Sequence, residues 1–129
     1  GMCIPWSFCH VTSGQRDRER WQEHKAFLAA LPDELGPVLD TDMPVILGGD
    51  FNHTFPRKRT DEAAHSMVLD FLARFHLTLV TEAPPFEGRL LNHIAVRGAA
   101  AGSLTRIENM SGDKQLTDHI GAVARLRLP

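Results

Sequence analysis

No stretch of the 129-residue sequence approaches the ~20 consecutive apolar residues that a membrane-spanning helix needs, and no signal-type apolar segment follows its start. A membrane is therefore not an expected partner. Cysteine is scarce as well. Cys3 and Cys9, both in one apolar segment, fit neither a zinc spacing nor a disulfide framework, and they are expected to be reduced, buried thiols of a cytoplasmic protein. Neither sign of charge dominates: 14 basic residues face 16 acidic ones, and both kinds are mixed along the chain. That balance excludes a broad cationic surface for nucleic acid but leaves room for a small phosphate site. The seven histidines never take a metal-ligand spacing such as H-E-x-x-H and read mostly as surface or core residues. Repeats, low-complexity tracts and linkers are absent, so residues 1–129 read as a single domain. A chain of this size can bury roughly two-thirds of its unfolded surface. Gly1-Met2 looks like a cloning remnant ahead of an initiator methionine.

What is present alternates between strand and helix patterns. Trp6 to Val11 is apolar and β-favouring, and predicts a strand broken by Ser13-Gly14. From Asp17 to Leu31, Trp21, His24, Leu28 and Leu31 recur at helical spacing, and Pro32, Gly36 and Pro37 are expected to end that helix. Pro44 to Leu47 is a short apolar run stopped by Gly48-Gly49, suited to a strand buried on both faces. A second helix is expected from Thr60, as its cap, to Phe75, with Ala64, Met67, Val68, Phe71, Leu72 and Phe75 in one apolar stripe. Strands follow at Leu77–Val80, Leu90–Val96 and Leu104–Asn109, with a small-residue turn at Gly98 to Gly102. In the last strand, Ile120–Leu128, Ala124, Leu126 and Leu128 should face inward and Arg125 and Arg127 outward. The order β-α-β-α-β-β-β-β predicts a layered α/β (α+β) domain with a mixed sheet.

Two stretches carry candidate chemistry. In Val45-Ile46-Leu47-Gly48-Gly49-Asp50-Phe51-Asn52 an apolar strand runs into two glycines and then presents Asp50 and Asn52, two residues apart. In extended geometry that spacing puts both side chains on one side of the strand end, where ligand sites of α/β sheets lie. A carboxylate beside a carboxamide can orient water and bond a phosphoryl oxygen, or it can merely form a strand-ending Asx turn. Later, Thr117-Asp118-His119 precedes the last strand and offers a carboxylate next to an imidazole that titrates near neutrality. Arg57-Lys58-Arg59 can meet a phosphate or simply be solvated. Trp6 and Trp21 read as core or interface side chains.

Taken together, Gly49-Asp50-Phe51-Asn52 and Thr117-Asp118-His119 resemble the Gly-Asp-Phe-Asn and Ser-Asp-His motifs of the endonuclease/exonuclease/phosphatase (deoxyribonuclease-I-like) superfamily. Phe8-Cys9-His10-Val11 is similar to that family's Asn-Thr-His-Leu strand, and Leu90-Leu91-Asn92-His93-Ile94 to its Arg-Ile-Asp-His-Ile strand. The likeness runs from about Trp6 to Leu128, in order, and matches the C-terminal half of the family. It implies half of a four-layer α/β/β/α sandwich, with two helices on one face of the sheet. It implies a metal-dependent phosphoesterase, a nuclease or phosphatase acting on phosphodiesters or phosphomonoesters, in which His10 and Asn52 contact the phosphate. Asp50 would orient or deprotonate water, His119 would stabilise the phosphoryl charge, and Asp118 would lie near Mg²⁺ or Mn²⁺. Arg57 becomes a phosphate-binding candidate.

Two departures limit this reading. Asn92 stands where the family has an aspartate that holds the catalytic histidine, and the family's first half, with its metal-binding glutamate, has no counterpart in this sequence. The chain therefore reads as an incomplete or partner-completed phosphoesterase, weak on its own, or as a non-catalytic binding or assembly domain that keeps the fold. A homodimer through the open face of the sheet is expected, because strands apolar on both sides call for burial on both sides.

Overall fold

A computed structural model describes residues 1–11 and 18–129. The expected break at Ser13-Gly14 and the expected helix start at Asp17 lie outside these residues. The main sheet has four strands in the order β1-β2-β4-β3: β1 (Met2–Cys3), β2 (Val45–Asp50), β4 (Asn92–Arg97) and β3 (Thr78–Leu79). β1 runs parallel to β2, while β2 and β3 both pair antiparallel with β4. The sheet is thus mixed, as expected. β5 (Ala100–Ile107) and β8 (Gly121–Arg127) form a separate antiparallel ribbon, and β6 (Met110–Ser111) with β7 (Lys114–Gln115) forms a small hairpin between them.

Helix α2 (Glu62–Arg74) follows its sequence closely. Ala64, Val68, Phe71 and Leu72 are buried, Phe75 is buried just past the last turn, and Met67 packs beside them. The cap is Asp61 rather than Thr60: its carboxylate accepts the Ala64 N–H at 3.0 Å. Helix α1 (Gln22–Leu39) corrects the expectation more sharply, because Pro32 and Pro37 lie inside it. A proline removes one helical hydrogen bond and crowds the preceding turn. Here the apolar spacing continues through it: Leu28, Leu31 and Leu39 are buried and Leu35 is packed against the core. Burial of that stripe outweighs the local penalty.

The expected strand Trp6–Val11 is also corrected. It is a run of turns, with Cys9 N–H donating to Trp6 O at 3.0 Å and Val11 N–H to Phe8 O at 3.1 Å. The sheet edge is taken instead by Met2–Cys3, whose ladder closes with Ile4 N–H on Asp50 O at 2.8 Å. Pro5 follows and has no N–H to extend it. Gly49 is needed for this pairing, since a Cβ there would collide with the Met2 backbone. Cys3 is exposed and Cys9 half-buried, so neither is the buried thiol expected, and Trp6 is 51% exposed rather than core.

Both helices cover one face of the sheet. Leu47 and Ala95, paired across β2 and β4, join Leu28, Leu31, Val68, Phe71 and Leu72 in one core. By strand alternation the opposite face carries the pairs Ile46–Val96, Gly48–Ile94 and Asp50–Asn92. Val96 is buried there, but Ile46 is 54% exposed, so β2 is not sealed on both sides as expected. In β8, Ala124 and Leu126 are half-buried and Arg125 and Arg127 exposed, as the alternation predicts, while Leu128 lies past the strand and is exposed. The small-residue segment 98–102 is not only a turn, for β5 already begins at Ala100. Among the described residues, no helix is long and apolar enough to cross a membrane.

Candidate functional site

The antiparallel register of β2 and β4 sets the carboxyl end of one beside the amino end of the other. Asp50 and Asn92 are direct partners, and Phe51 N–H donates to Leu91 O at 2.9 Å just beyond them. A parallel bridge between Leu90 and Ile120, with Ile120 N–H on Arg89 O at 3.0 Å, ties the segment before β8 to the same sheet end. His119 is thereby delivered to Asn92. Asn92 Nδ2 lies 2.7 Å from His119 Nε2, so the amide donates and the ring nitrogen accepts. Nδ1 then carries the ring proton and donates to Asp118 Oδ1 at 2.9 Å, with Thr117 Oγ1 at 3.4 Å. Asp118 Oδ2 accepts from Arg89 at 2.6 Å. The result is a chain of side chains, Asn92–His119–Asp118–Arg89, across the end of the sheet, with Asp50 the backbone partner of Asn92. The hydrogen bond from His119, then the charge of Arg89, hold the Asp118 carboxyl below the usual carboxylate range.

Asn52 sits in the left-handed region at φ 47°, a conformation asparagine tolerates better than most residues. Its backbone N–H donates to Asp50 Oδ1 at 2.8 Å, and its side-chain amide donates to Ile4 O at 2.8 Å. Asp50 therefore closes an Asx turn as well as standing beside Asn92.

A cleft of about 800 Å³ opens next to this end of the sheet. Asn52, Leu91, Arg89 and Asp118 line it, with Thr54, Lys58, Arg59 and Thr60 from the loop after β2. Trp6, Ser7, Phe8, Arg20 and Trp21, which precede α1, complete the lining. The Arg20 guanidinium rests 4.5 Å from the Phe8 ring centre and 5.7 Å from that of Trp21, which presents its charge on an aromatic platform. Four cations thus surround a cleft in a chain whose net charge is −2.

Of the residues singled out in the sequence, Asp50, Asn52, Asn92, Asp118 and His119 share one end of the sheet. Of these, Asn52 and Asp118 line the cleft, whereas Asp50, Asn92 and His119 do not; His10, exposed in the turn segment at φ 62°, does not line it either. Arg57 donates to Thr60 O at 3.2 Å, bracing its own loop, while its neighbours Lys58 and Arg59 line the cleft. Arg20 and Arg89 went unremarked as site residues in the sequence. Arg20 ends the charged run Arg16-Asp17-Arg18-Glu19-Arg20 and Arg89 stands alone before Leu90-Leu91, and only the fold brings them together.

These side chains do not fit a divalent metal as they stand. Mg²⁺ requires near-octahedral oxygen ligation. Both oxygens of Asp118 are taken by His119 and Arg89. Among the described residues no three histidine, cysteine, aspartate or glutamate side chains are grouped to hold a metal. With this geometry in view, no protein-family model, curated protein or solved structure matches the chain.

Proposed function

We propose that the cleft binds a phosphate ester and that the chain is a phosphoesterase half-site of the endonuclease/exonuclease/phosphatase type, of low activity by itself. The observation that supports the proposal is the contact of Asn92 with His119 beside Asp50, next in sequence to Leu91, Asp118 and Asn52, which line a cleft together with Arg20, Lys58, Arg59 and Arg89. Phosphoryl transfer is served by positioning and by neutralising the phosphoryl oxygens, and guanidinium groups suit that geometry. Asn52 and the four cations would hold the phosphate, and Asp50 would orient an attacking water.

Low turnover follows from two features of the site. Both ring nitrogens of His119 are engaged within the chain, so the ring meets a substrate only after giving up one partner. Asn92 is an amide, which cannot stabilise an imidazolium as a carboxylate would. The same reading has the chain act as a homodimer through the helix-distal face of the sheet, where Ile46 is exposed beside Val96.

The test is equilibrium binding and hydrolysis of a generic chromogenic phosphodiester by the intact chain. Saturable binding that weakens with salt and is lost in an Arg20→Gln, Arg59→Gln double variant supports the reading. Salt-independent or undetectable binding overturns it.

A further inference from the structure

Four of the seven histidines gather in one place behind the cleft, each from a different element: His24 from α1, His53 from the loop after β2, His65 from α2 and His93 from β4. His24, His53 and His93 are at most 1% exposed. The His53 ring stacks on His65 with centres 5.0 Å apart and on His24 at 6.1 Å, and His53 Nε2 meets His65 Nδ1 at 2.7 Å. His93 Nε2–H donates to the His53 carbonyl at 2.9 Å, and Phe55 packs against the rings of His53, His65 and His93.

We propose that His24, His53, His65 and His93 form an acid-sensitive clasp that holds the loop Phe51–Thr60 against both helices and β4, and that releases this loop when the cluster gains protons.

The proton positions support this. His24 Nδ1–H donates to Pro5 O at 2.7 Å, which leaves Nε2 bare, and that atom is buried without a partner. His93 spends its one proton on His53 O and accepts the Thr81 hydroxyl at 2.9 Å on Nδ1. His53 and His65 share one hydrogen bond, and His53 Nδ1 is also buried without a partner. A further proton on His24 Nε2 or His53 Nδ1 would thus place a charged N–H where no acceptor waits, an expensive state in a protein interior.

The charged groups facing the cluster are Asp61 toward His24, with Lys25 bridged to that carboxylate at 3.8 Å. Glu82 and Arg57 face His65, and Asp50 faces His93. His53 is surrounded by the other three imidazoles. Burial holds all four below the ordinary histidine range, and burial together with the neighbouring rings brings His53 to about 3.

The sign is fixed by these directions. The closed clasp is neutral, whereas an open loop takes up protons at about 6.5. The clasp is at full strength above that pH and weakens as pH falls through it. The loop it holds also carries Asn52, Thr54, Lys58 and Arg59 into the cleft. Release of the loop therefore dismantles one side of the cleft. The effect on phosphate binding rests on the function proposed above, but the clasp itself does not.

Hydrogen exchange of the intact chain, read by mass spectrometry from pH 8 to pH 5 and converted to protection factors, tests the idea. Protection of residues 51–61 should fall by up to about tenfold per pH unit below 6.5 for each proton taken up, while residues 45–50 and 92–97 stay protected. His53→Phe should flatten that slope. If the variant does not fold, the wild-type series decides alone. Protection of 51–61 that ignores pH, or that at acid pH is no lower than that of 45–50 and 92–97, overturns the clasp. Loss confined to 51–61 and unaffected by added inorganic phosphate supports the clasp while counting against the phosphate reading of the cleft.

Discussion

Asn92 and His119 meet at 2.7 Å across 27 residues of sequence, amide nitrogen to ring nitrogen. The contact fixes the tautomer of the ring, because an amide N–H needs a bare Nε2 to accept it. His119 should therefore carry its proton on Nδ1. Nitrogen-15 NMR of the imidazole should show an unprotonated Nε2 above neutral pH. In Asn92→Asp the carboxylate accepts instead of donating, and the proton should move to Nε2. A wild-type ring already protonated on Nε2 would contradict the geometry.

Arg89 bridges Asp118 at 2.6 Å with both side chains more than half exposed. Pairs of this kind contribute about 0–1 kcal/mol to stability. Arg89→Gln should accordingly leave the denaturation midpoint nearly unchanged yet weaken phosphodiester binding several-fold, as seen by calorimetry. A large loss of stability with unchanged binding would assign Arg89 to the fold rather than to the cleft.

The start of α2 is a separable point of stability. Asp61→Ala removes the acceptor for the Ala64 N–H and should cost about 0.5–2 kcal/mol in urea unfolding. Thr60→Ala should leave that capping bond intact. Equal effects of the two substitutions would mean that the cap has been misplaced.

That cap illustrates what the sequence shows and what it hides. The α2 stripe was legible because six apolar residues recur on one face with polar residues between them, and nothing elsewhere competes for that pattern. Asp50, Asn52, Asn92 and His119 were legible as candidates because strand ends and short motifs position them. Trp6–Val11 misled because β-favouring side chains need a neighbouring strand, and Pro5 ends the ladder that Met2–Cys3 forms on β2. Pro32 misled because a local helix penalty was weighed without the burial of Leu35 and Leu39 beyond it. The histidine cluster was invisible, since its members are spread from His24 to His93 along the chain and only tertiary packing gathers them.

The buried histidines predict a pH-dependent global stability. Their folded values are lowered, so the unfolded chain binds more protons below about 6.5 and stability must fall with acid. His53 alone should contribute a loss of about 2 kcal/mol between pH 6.5 and 5, at about 1.4 kcal/mol per unit. Asp118 acts only at lower pH, because its lowered carboxyl value keeps it ionised across this window. Urea unfolding at pH 8 and pH 5 measures the difference, and a flat profile would show that the histidines are not held neutral.

The helix-distal sheet face predicts self-association. Light scattering at micromolar concentration should report twice the chain mass of 14.4 kDa, and Ile46→Asp should return it to one. A wild-type monomer would remove the dimer from the account.

The cleft lined by Arg20, Arg59 and Arg89 is proposed to receive a phosphate ester beside the Asp50–Asn92–His119 end of the sheet. Titration with a short phosphodiester, followed by backbone and imidazole NMR shifts, decides this. Saturable changes concentrated at Asn52, Thr54, Lys58, Arg59, Arg89 and His119, weakening as salt is raised, are expected. Saturable changes centred elsewhere, or none at millimolar ligand, would contradict it.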